Sequence, residues 1–261
     1  METSAIIGGT GVYQVPGLDW ERRTVETEYG TTDLLVGQGE SEGLVFLPRH
    51  GPEHTVPPHR INYRANIKAL QKLDVRRVLA IYTVGSLHSE LPPASMVLLS
   101  SFLDFTRSRP STFYDGDDGV VAHVDVTHPY CPALRTRVLE RAAARGLELV
   151  PDGVYACMEG PRLETAAEIT MLARLGGDVV GMTGVPEVTL ARELGICFAA
   201  VALVVNWGAG LVSETIDFDE ARAVCDQAKL DILALFVDIF RNPEPYLPCR
   251  CADALRVVGP H

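Results

Sequence analysis

Short apolar runs that end in polar and glycine residues recur along the chain and predict an alternating α/β fold. Strand-like runs cover residues 4–7, 33–36, 44–47, 78–82, 96–100, 153–157, 178–181 and 201–206. Helical spacing of apolar residues predicts helices over 62–73, 133–145, 164–175, 186–194 and 218–240. Strands and helices that alternate in this way are typical of an open α/β sheet, in which ligands bind beyond the carboxyl ends of the strands.

The most continuous of these runs, residues 201–206, predicts a strand buried on both faces and ends in the amide side chain of Asn206. Trp207 and the turn-forming residues 208–210 follow at once. Asn206 therefore either faces a ligand at the carboxyl end of a buried strand or opens a turn. The pattern leaves both interpretations open.

A glycine-rich loop follows the first predicted strand and contains Gly8, Gly9, Thr10 and Gly11. Glycines at this point let backbone N–H groups approach an anion closely, and Thr10 adds a hydroxyl donor. A dinucleotide fingerprint requires glycine where Gln14 stands, and a Walker loop requires a Gly-Lys-Ser/Thr sequence that is absent. The loop is therefore either an anion-binding loop of another kind or a plain tight turn.

Charged and hydroxyl side chains follow other predicted strands. Arg49 and His50 come directly after the run at 44–47, and a guanidinium fork beside an imidazole suits a phosphate dianion. A solvated basic turn would have the same composition. Thr83 and Thr183 likewise follow predicted strands. Glu164 either belongs to a site or only occupies the start of a helix, where the helix dipole favours a carboxylate.

Composition limits the partners that the chain could bind. A formal net charge of −11 over 261 residues, without a basic stripe, argues against a nucleic-acid or anionic membrane surface. A bound phosphate must then be held by a small local pocket. No linker interrupts the chain, so we expect one domain over 1–261, with an irregular tail from about residue 242.

Cysteine usage and the N-terminus indicate a cytoplasmic protein. Six cysteines are scattered along the chain, which is typical of reduced, partly buried thiols. Cys249 and Cys251 form a Cys-x-Cys sequence without a matching second pair, so spacing predicts no metal site. No signal-peptide pattern and no apolar window of membrane-spanning length is present, so we expect neither secretion nor a membrane span.

Several motifs within residues 4–225 occur together in an order typical of one family. They are IIGGTG (6–11), RHG (49–51), NYRANI (62–67), TFYDG (112–116), EGPRLET (159–165) and GMTGVPEVTLARELGI (181–196). On these motifs the chain resembles the trimeric purine nucleoside phosphorylase and methylthioadenosine phosphorylase family.

The resemblance implies a single-domain, phosphorylase-type α/β fold whose mixed, partly barrel-like central sheet is flanked by helices. It also implies a homotrimer with active sites near the subunit contacts. In the implied reaction, phosphate attacks C1′ of a purine nucleoside and releases the base and a ribose 1-phosphate. The partners are then the nucleoside and inorganic phosphate as co-substrate, with no metal or organic cofactor.

The resemblance also assigns roles at the positions that match the family motifs. Phosphate binding is implied for Thr10, Arg49, His50, Thr83 and Thr183, and base binding for Leu163, Glu164 and Asn206. Sugar or 5′-pocket contacts are implied for Met182, Phe218 and His123, the last resembling a residue that a neighbouring subunit extends toward the 5′ end. Asn206 and His50 are the implied catalytic residues.

Two of these residues predict the class of base. Similar proteins that act on 6-aminopurines have Asp at the position of Asn206 and Ser at that of Glu164. An amide can donate to O6 and N7 of a 6-oxopurine, and a carboxylate can accept N1–H, which adenine lacks. A mismatched base would leave buried polar groups unpaired, at about 1–3 kcal/mol each. We therefore expect a phosphorylase of 6-oxopurine nucleosides, most similar to those that accept S-methyl-5′-thioinosine.

Two alternatives remain open from the sequence. One is a phosphorylase of S-methyl-5′-thioadenosine, and the other is a purine-binding protein that has lost turnover. The second rests on two departures from the family pattern, Tyr82 in place of Asn or Thr and Leu163 where many members have a base-stacking Phe.

Overall fold

The central sheet combines a closed barrel with an open extension. A computed structural model describes residues 3–12, 15–117, 119–212, 218–242 and 248–258, with the backbone alone over 218–224. Its strands are β1 (Thr3–Gly8), β2 (Trp20–Thr27), β3 (Gly30–Gly37), β4 (Leu44–Pro48), β5 (Val75–Ser86), β6 (Met96–Asp104), β7 (Val121–Val124), β8 (Val150–Cys157), β9 (Val179–Gly181), β10 (Cys197–Trp207) and β11 (Leu255–Val258). Its helices are α1 (Tyr63–Lys72), α2 (Pro132–Ala144), α3 (Ala166–Arg174), α4 (Gly184–Glu193) and α5 (Phe218–Arg241).

Closure of the barrel depends on one additional strand pair. The large sheet has the order β10-β6-β8-β9-β5-β1-β4-β3-β2, and β10 also pairs in parallel with β5. The strands β5, β10, β6, β8 and β9 therefore form a closed ring, in which the pairs β10–β6 and β5–β9 are antiparallel. The expected α/β fold with a mixed, partly barrel-like sheet flanked by helices is confirmed.

Alternate side chains of β10 enter two different hydrophobic clusters. Ala202 and Val204 pack in one cluster, whereas Val201 and Leu203 pack in the other, where α2 and α5 cover the sheet. Each fully buried Val or Leu side chain contributes about 1.5–3 kcal/mol. Burial on both faces explains the uninterrupted apolar run of this strand and fixes its register, because a one-residue slip would exchange the two faces.

Three strands lie where the sequence pattern predicts none. β2 is mostly exposed and pairs with β3 at the edge of the sheet, and its polar sequence carries no regular alternation of burial. β7 and β11 pair with each other in a separate two-stranded ribbon, and β11 lies in the tail expected to be irregular. Within the described ranges, no helix combines the length and hydropathy of a membrane span.

Candidate active site

A cavity of about 320 Å³ opens where β1, β4, β5, β9 and β10 end. This volume lies in the range of small-molecule sites, about 300–1,000 Å³. Nine of the residues singled out in the sequence line it: Thr10, Arg49, His50, Thr83, Leu163, Glu164, Met182, Thr183 and Asn206. The fold thus brings together side chains that the sequence placed at the ends of separate strands.

Arg49 is buried beneath this cavity and forms a two-pronged ion pair. Its Nε and Nη2 donate to the two carboxylate oxygens of Glu187 at 3.0 and 2.9 Å, and its Nη1 donates to the Ile81 carbonyl at 2.9 Å. Burial by itself lowers the pKa of Arg49, but the charge and hydrogen bonds of Glu187 outweigh it, so the net shift is upward. The guanidinium is therefore charged, fixed in orientation and largely neutralised by its partner.

Tyr82 completes this buried group instead of facing the cavity. Its hydroxyl donates to Glu187 at 2.8 Å, and the guanidinium carbon of Arg49 lies 4.7 Å from the centre of its ring. The departure at position 82 noted in the sequence therefore has a structural explanation. Tyr82 supports the Arg49–Glu187 pair by a hydrogen bond and a cation–π contact.

Two glycines let cationic side chains pack against the loop after β1. A Cβ on Gly9 would lie 2.6 Å from Nη1 of Arg49, and one on Gly11 would lie 2.9 Å from Nζ of Lys229. Gly11 also has a φ of +75°, which side-chain-bearing residues rarely adopt. The loop thus has the guanidinium of Arg49 and the ammonium of Lys229 close to its backbone.

His50 is buried beside Arg49, and its protonation state follows from its surroundings. Burial first, and then the positive charge of Arg49, lower its pKa to about 4. Its Nδ1 lies 2.9 Å from the Val56 carbonyl, an oxygen that can only accept, so Nδ1 carries the proton. In this neutral tautomer Nε2 is a hydrogen-bond acceptor.

Thr183 lies at the start of α4 with its hydroxyl not used in capping the helix. The Tyr155 hydroxyl takes that role by accepting the backbone N–H groups of Thr183 at 3.0 Å and of Gly184 at 3.3 Å. Burial holds the pKa of Tyr155 well above its ordinary value, so it remains a neutral phenol. The Thr183 side chain therefore lines the cavity as a hydroxyl donor.

Asn206 is at the carboxyl end of β10, opposite Gly85 of β5, just after an irregularity in the strand pairing. Its Nδ2 donates to the Trp207 carbonyl at 2.7 Å. One amide hydrogen is thus used within the protein, which leaves one N–H for a ligand. The sequence led us to expect that this amide donates to both O6 and N7 of the base. In this conformation it can donate only one hydrogen bond to a ligand.

Glu164 precedes α3 and does not belong to its first turn. The capping box of α3 is formed by Thr165 and Glu168, whose side chains bond to each other's backbone N–H groups. The capping carboxylate is therefore Glu168, and the helix predicted to begin at residue 164 begins at Ala166. Glu164 lines the cavity, where burial raises the pKa of its carboxyl group.

Leu163 and Met182 are apolar residues of the cavity wall with different exposure. Leu163 is 51% exposed, and Met182 packs against Gly160, where a Cβ would lie 2.5 Å from the Met182 sulfur. Met182 is thus held close to the backbone of the loop after β8. Leu163 lies at the rim and is accessible to a partner or ligand.

Two expected site residues fall outside this arrangement. His123 lies on the exposed strand β7, opposite Arg256 of β11, and does not line the cavity of its own chain. The side chain of Phe218 lies outside the described residues. The sequence analysis also missed the roles of Glu187, which lies within the motif at 181–196, and of Tyr155, a phenol within a predicted strand.

Comparison with known proteins identifies the class to which this fold and cavity belong. The chain matches the Phosphorylase superfamily over residues 3–241 and is a member of it. The resemblance seen in the sequence motifs is confirmed.

Two relatives and one solved structure show which phosphorylases the chain is similar to. The chain is 45% identical over 265 residues to "6-oxopurine nucleoside phosphorylase" of Pyrococcus furiosus, covering 98% of each chain. It is 44% identical over 256 residues to "Probable S-methyl-5'-thioinosine phosphorylase" of Methanopyrus kandleri, again covering 98% of each. Among solved structures, methylthioadenosine phosphorylase from Schistosoma mansoni in complex with adenine matches with a TM-score of 0.86 at 29% identity, over 91% of this chain and 90% of that chain.

Proposed function

We propose that this protein catalyses the phosphorolysis of 6-oxopurine nucleosides, with S-methyl-5′-thioinosine as its leading substrate. The products are the purine base and 5-methylthioribose 1-phosphate. One observation carries the proposal: a carboxylate, Glu164, and an amide, Asn206, share a single cavity with the anion-binding loops of β1 and β4. The relatives named as 6-oxopurine and methylthioinosine phosphorylases support the same reaction.

Phosphate would bind through oriented donors more than through net charge. Arg49 is neutralised by Glu187, and His50 is neutral because its pKa is lowered to about 4. The remaining guanidinium N–H groups and the hydroxyls of Thr10, Thr83 and Thr183 would donate to phosphate oxygens. The Nε2 atom of His50, an acceptor in its tautomer, would receive the P–OH proton of hydrogen phosphate, so that the unprotonated oxygens face the sugar.

The base would be bound more tightly as it departs. In a ribosyl-cation-like transition state, positive charge grows on the sugar and negative charge on the purine. The free N–H of Asn206 would donate to N7, a bond that strengthens as the base becomes an anion and therefore lowers the barrier. The carboxylate of Glu164 would accept N1–H of the 6-oxopurine. Bound phosphate would serve both as the counter-charge and as the positioned nucleophile.

The cavity wall favours an apolar 5′ substituent. Among the described residues that line it, the titratable side chains are Arg49, His50 and Glu164, all of which are used above for phosphate or base. Most of the rest, including Met182 and Val205, are apolar. A methylthio group would be buried against such a surface at a gain of about 0.8 kcal/mol for each CH₂-sized group.

A direct test compares phosphate-dependent base release from methylthioinosine, methylthioadenosine, inosine and guanosine as kcat/KM. We expect methylthioinosine to be the best substrate and the two 6-oxopurine nucleosides without sulfur to exceed methylthioadenosine. Equal or better turnover of methylthioadenosine would overturn the choice of base. Base release that continues without phosphate would indicate a hydrolase, and no turnover of any of the four would indicate a binding protein.

We also infer a cytoplasmic homotrimer that needs phosphate only as co-substrate. The β7–β11 ribbon exposes Val121, Val257 and Val258, each by half or more, beside His123. An exposed apolar ribbon of this kind is typical of a protein–protein contact and supports the expectation that His123 serves a neighbouring site. Light scattering tests the trimer. Mixing inactive His123→Ala with an inactive variant of the cavity should restore activity only if sites are shared between subunits.

A further inference from the structure

Four of the six cysteines converge on one point although three separate segments supply them. Cys131 directly precedes α2, Cys197 begins β10, and Cys249 and Cys251 lie in the tail before β11. Their four sulfur atoms all lie within 4.8 Å of one another. Neither the cavity described above nor the proposed reaction uses any of them.

The spacing of these sulfurs suits a tetrahedral ion. Zinc–thiolate bonds of about 2.3 Å place the sulfurs of a tetrahedral site roughly 3.8 Å apart. The Sγ atoms of Cys197 and Cys249 are 3.4 Å apart, and the whole set lies within the 4.8 Å limit. Changes of at most about 1 Å in the sulfur–sulfur distances would therefore produce the coordination geometry without a change of fold.

The surroundings compensate the negative charge that four thiolates would carry. Nη1 of Arg192, a buried residue of α4, donates to Sγ of Cys251 at 3.1 Å, while its Nη2 donates to the Asp125 carbonyl at 3.0 Å. Cys131 occupies the N-terminal end of the 13-residue helix α2, where the helix dipole favours a thiolate. Groups that donate to ligand sulfurs in this way tune and orient structural metal sites.

We propose that Cys131, Cys197, Cys249 and Cys251 form a structural zinc site that fastens the C-terminal tail to the barrel. Zinc binding would displace the four thiol protons to solvent and leave no open coordination position, so the site would be structural and not catalytic. The absence of a second Cys-x-Cys pair in the sequence is explained, because residues 131 and 197, 66 positions apart, supply the other two ligands.

The backbone around the cluster shows what the ion would hold in place. The Cys131 N–H donates to the Phe198 carbonyl at 2.7 Å, and the Asp125 N–H donates to the Ala254 carbonyl at 2.9 Å. Gly195 packs against Ala252, to which a Cβ on the glycine would approach within 3.2 Å. The tail thus meets α2, β10 and the β7–β11 ribbon at the cluster, and one ion would join all of them.

The test uses the full chain, purified with a reductant from zinc-supplemented cells, and measures zinc per protomer by mass spectrometry. Cys249→Ser removes the exposed ligand, whereas Cys225→Ser removes a buried thiol of α5 outside the cluster and serves as the matched control. We expect about one zinc in the wild type and in Cys225→Ser, and at least about tenfold less in Cys249→Ser after dialysis against a mild chelator. Circular dichroism confirms that each variant is folded.

A second readout separates coordination from loose metal binding. Cobalt exchanged into the wild type should give the intense visible d–d bands and the thiolate charge-transfer band of a tetrahedral sulfur site, and Cys249→Ser should weaken both. A strong chelator should lower the Tm of the wild type and Cys225→Ser but not that of Cys249→Ser. Zinc-free wild type, equal zinc in Cys249→Ser, or alkylation in fresh lysate that finds the four cysteines paired as disulfides would each overturn the proposal.

Discussion

Replacing Asn206 by Asp tests the step on which the choice of base depends. In the structure, Nδ2 of Asn206 donates to the Trp207 carbonyl at 2.7 Å, and its second hydrogen is the donor proposed for N7. A carboxylate has no hydrogen for either bond, and it would oppose the negative charge that develops on the departing base. The change therefore removes one ligand bond that forms fully only in the transition state.

The size of the effect follows from the charge on the acceptor. A hydrogen bond to a charged group contributes about 1.5–3 kcal/mol, which corresponds to a roughly 10- to 150-fold decrease in kcat/KM. Methylthioadenosine should lose less, because an aspartate can accept from its 6-amino group. The ratio of kcat/KM for methylthioinosine to that for methylthioadenosine should therefore fall by at least about tenfold.

Asn206→Ala is the matched control, since it loses the Trp207 bond without adding a charge. If the effect were only structural, both variants would lower Tm and depress the two substrates equally. If Asn206→Asp leaves kcat/KM for methylthioinosine within about twofold of the wild type, Asn206 does not bind the leaving base.

The remaining predictions concern the buried groups around the cavity. Glu187→Gln leaves the Arg49 charge without its partner and should lower the free energy of unfolding by about 3–5 kcal/mol in urea titrations; a change below about 1 kcal/mol would mean that the ion pair is dispensable. Tyr82→Phe removes only one hydrogen bond to the charged Glu187 and should cost about 1.5–3 kcal/mol, so a loss as large as that of Glu187→Gln would contradict the supporting role. The pKa of His50 is about 4 in the native state and 6.5 in the unfolded chain, so the native state binds fewer protons between these pH values. Its contribution to stability is therefore present above about pH 6.5 and is lost as the pH falls toward 4. His50→Asn should lose less free energy of unfolding than the wild type between pH 6.5 and 4. Because the pKa of Glu164 is raised, kcat/KM for 6-oxopurine nucleosides should begin to fall at a pH above the ordinary carboxyl range as the solution is made more acidic. Glu164→Gln should abolish this decrease. If the decrease is unchanged in Glu164→Gln, Glu164 does not bind the base.

The positions of the candidate site residues follow from the sequence because they depend on local signals. Polar residues such as Thr10 and Asn206 directly end buried apolar strands, and parallel strands bring such ends to one edge of a sheet. The motifs of residues 49–51 and 159–165 then indicated which chemistry to expect. Predicting these features requires only the positions of the buried strands and the direction of the chain.

What the sequence does not reveal depends on long-range pairing. Arg49 and Glu187 are 138 residues apart, and nothing near either one indicates that the guanidinium is already neutralised. The cysteine cluster was missed for the same reason, since its members become neighbours only when the start of α2 packs against β10 and the tail folds back. The exposed strands β2 and β11 were missed because neither is buried on one face, which removes the alternation that identifies strands.

The closed pairing of β5 with β10 also limits how the specificity of this enzyme could change. Asn206 lies opposite Gly85, two residues beyond Thr83, so the Cα atoms of Asn206 and Thr83 are separated by about 6.6 Å along the strands and about 4.8 Å across them. That distance is set by backbone hydrogen bonds, and inserting or deleting one residue in either strand would turn every later side chain to the opposite face. The strand pairing therefore fixes the spacing between the proposed phosphate and base subsites, and a new base preference would have to arise by exchange of individual side chains.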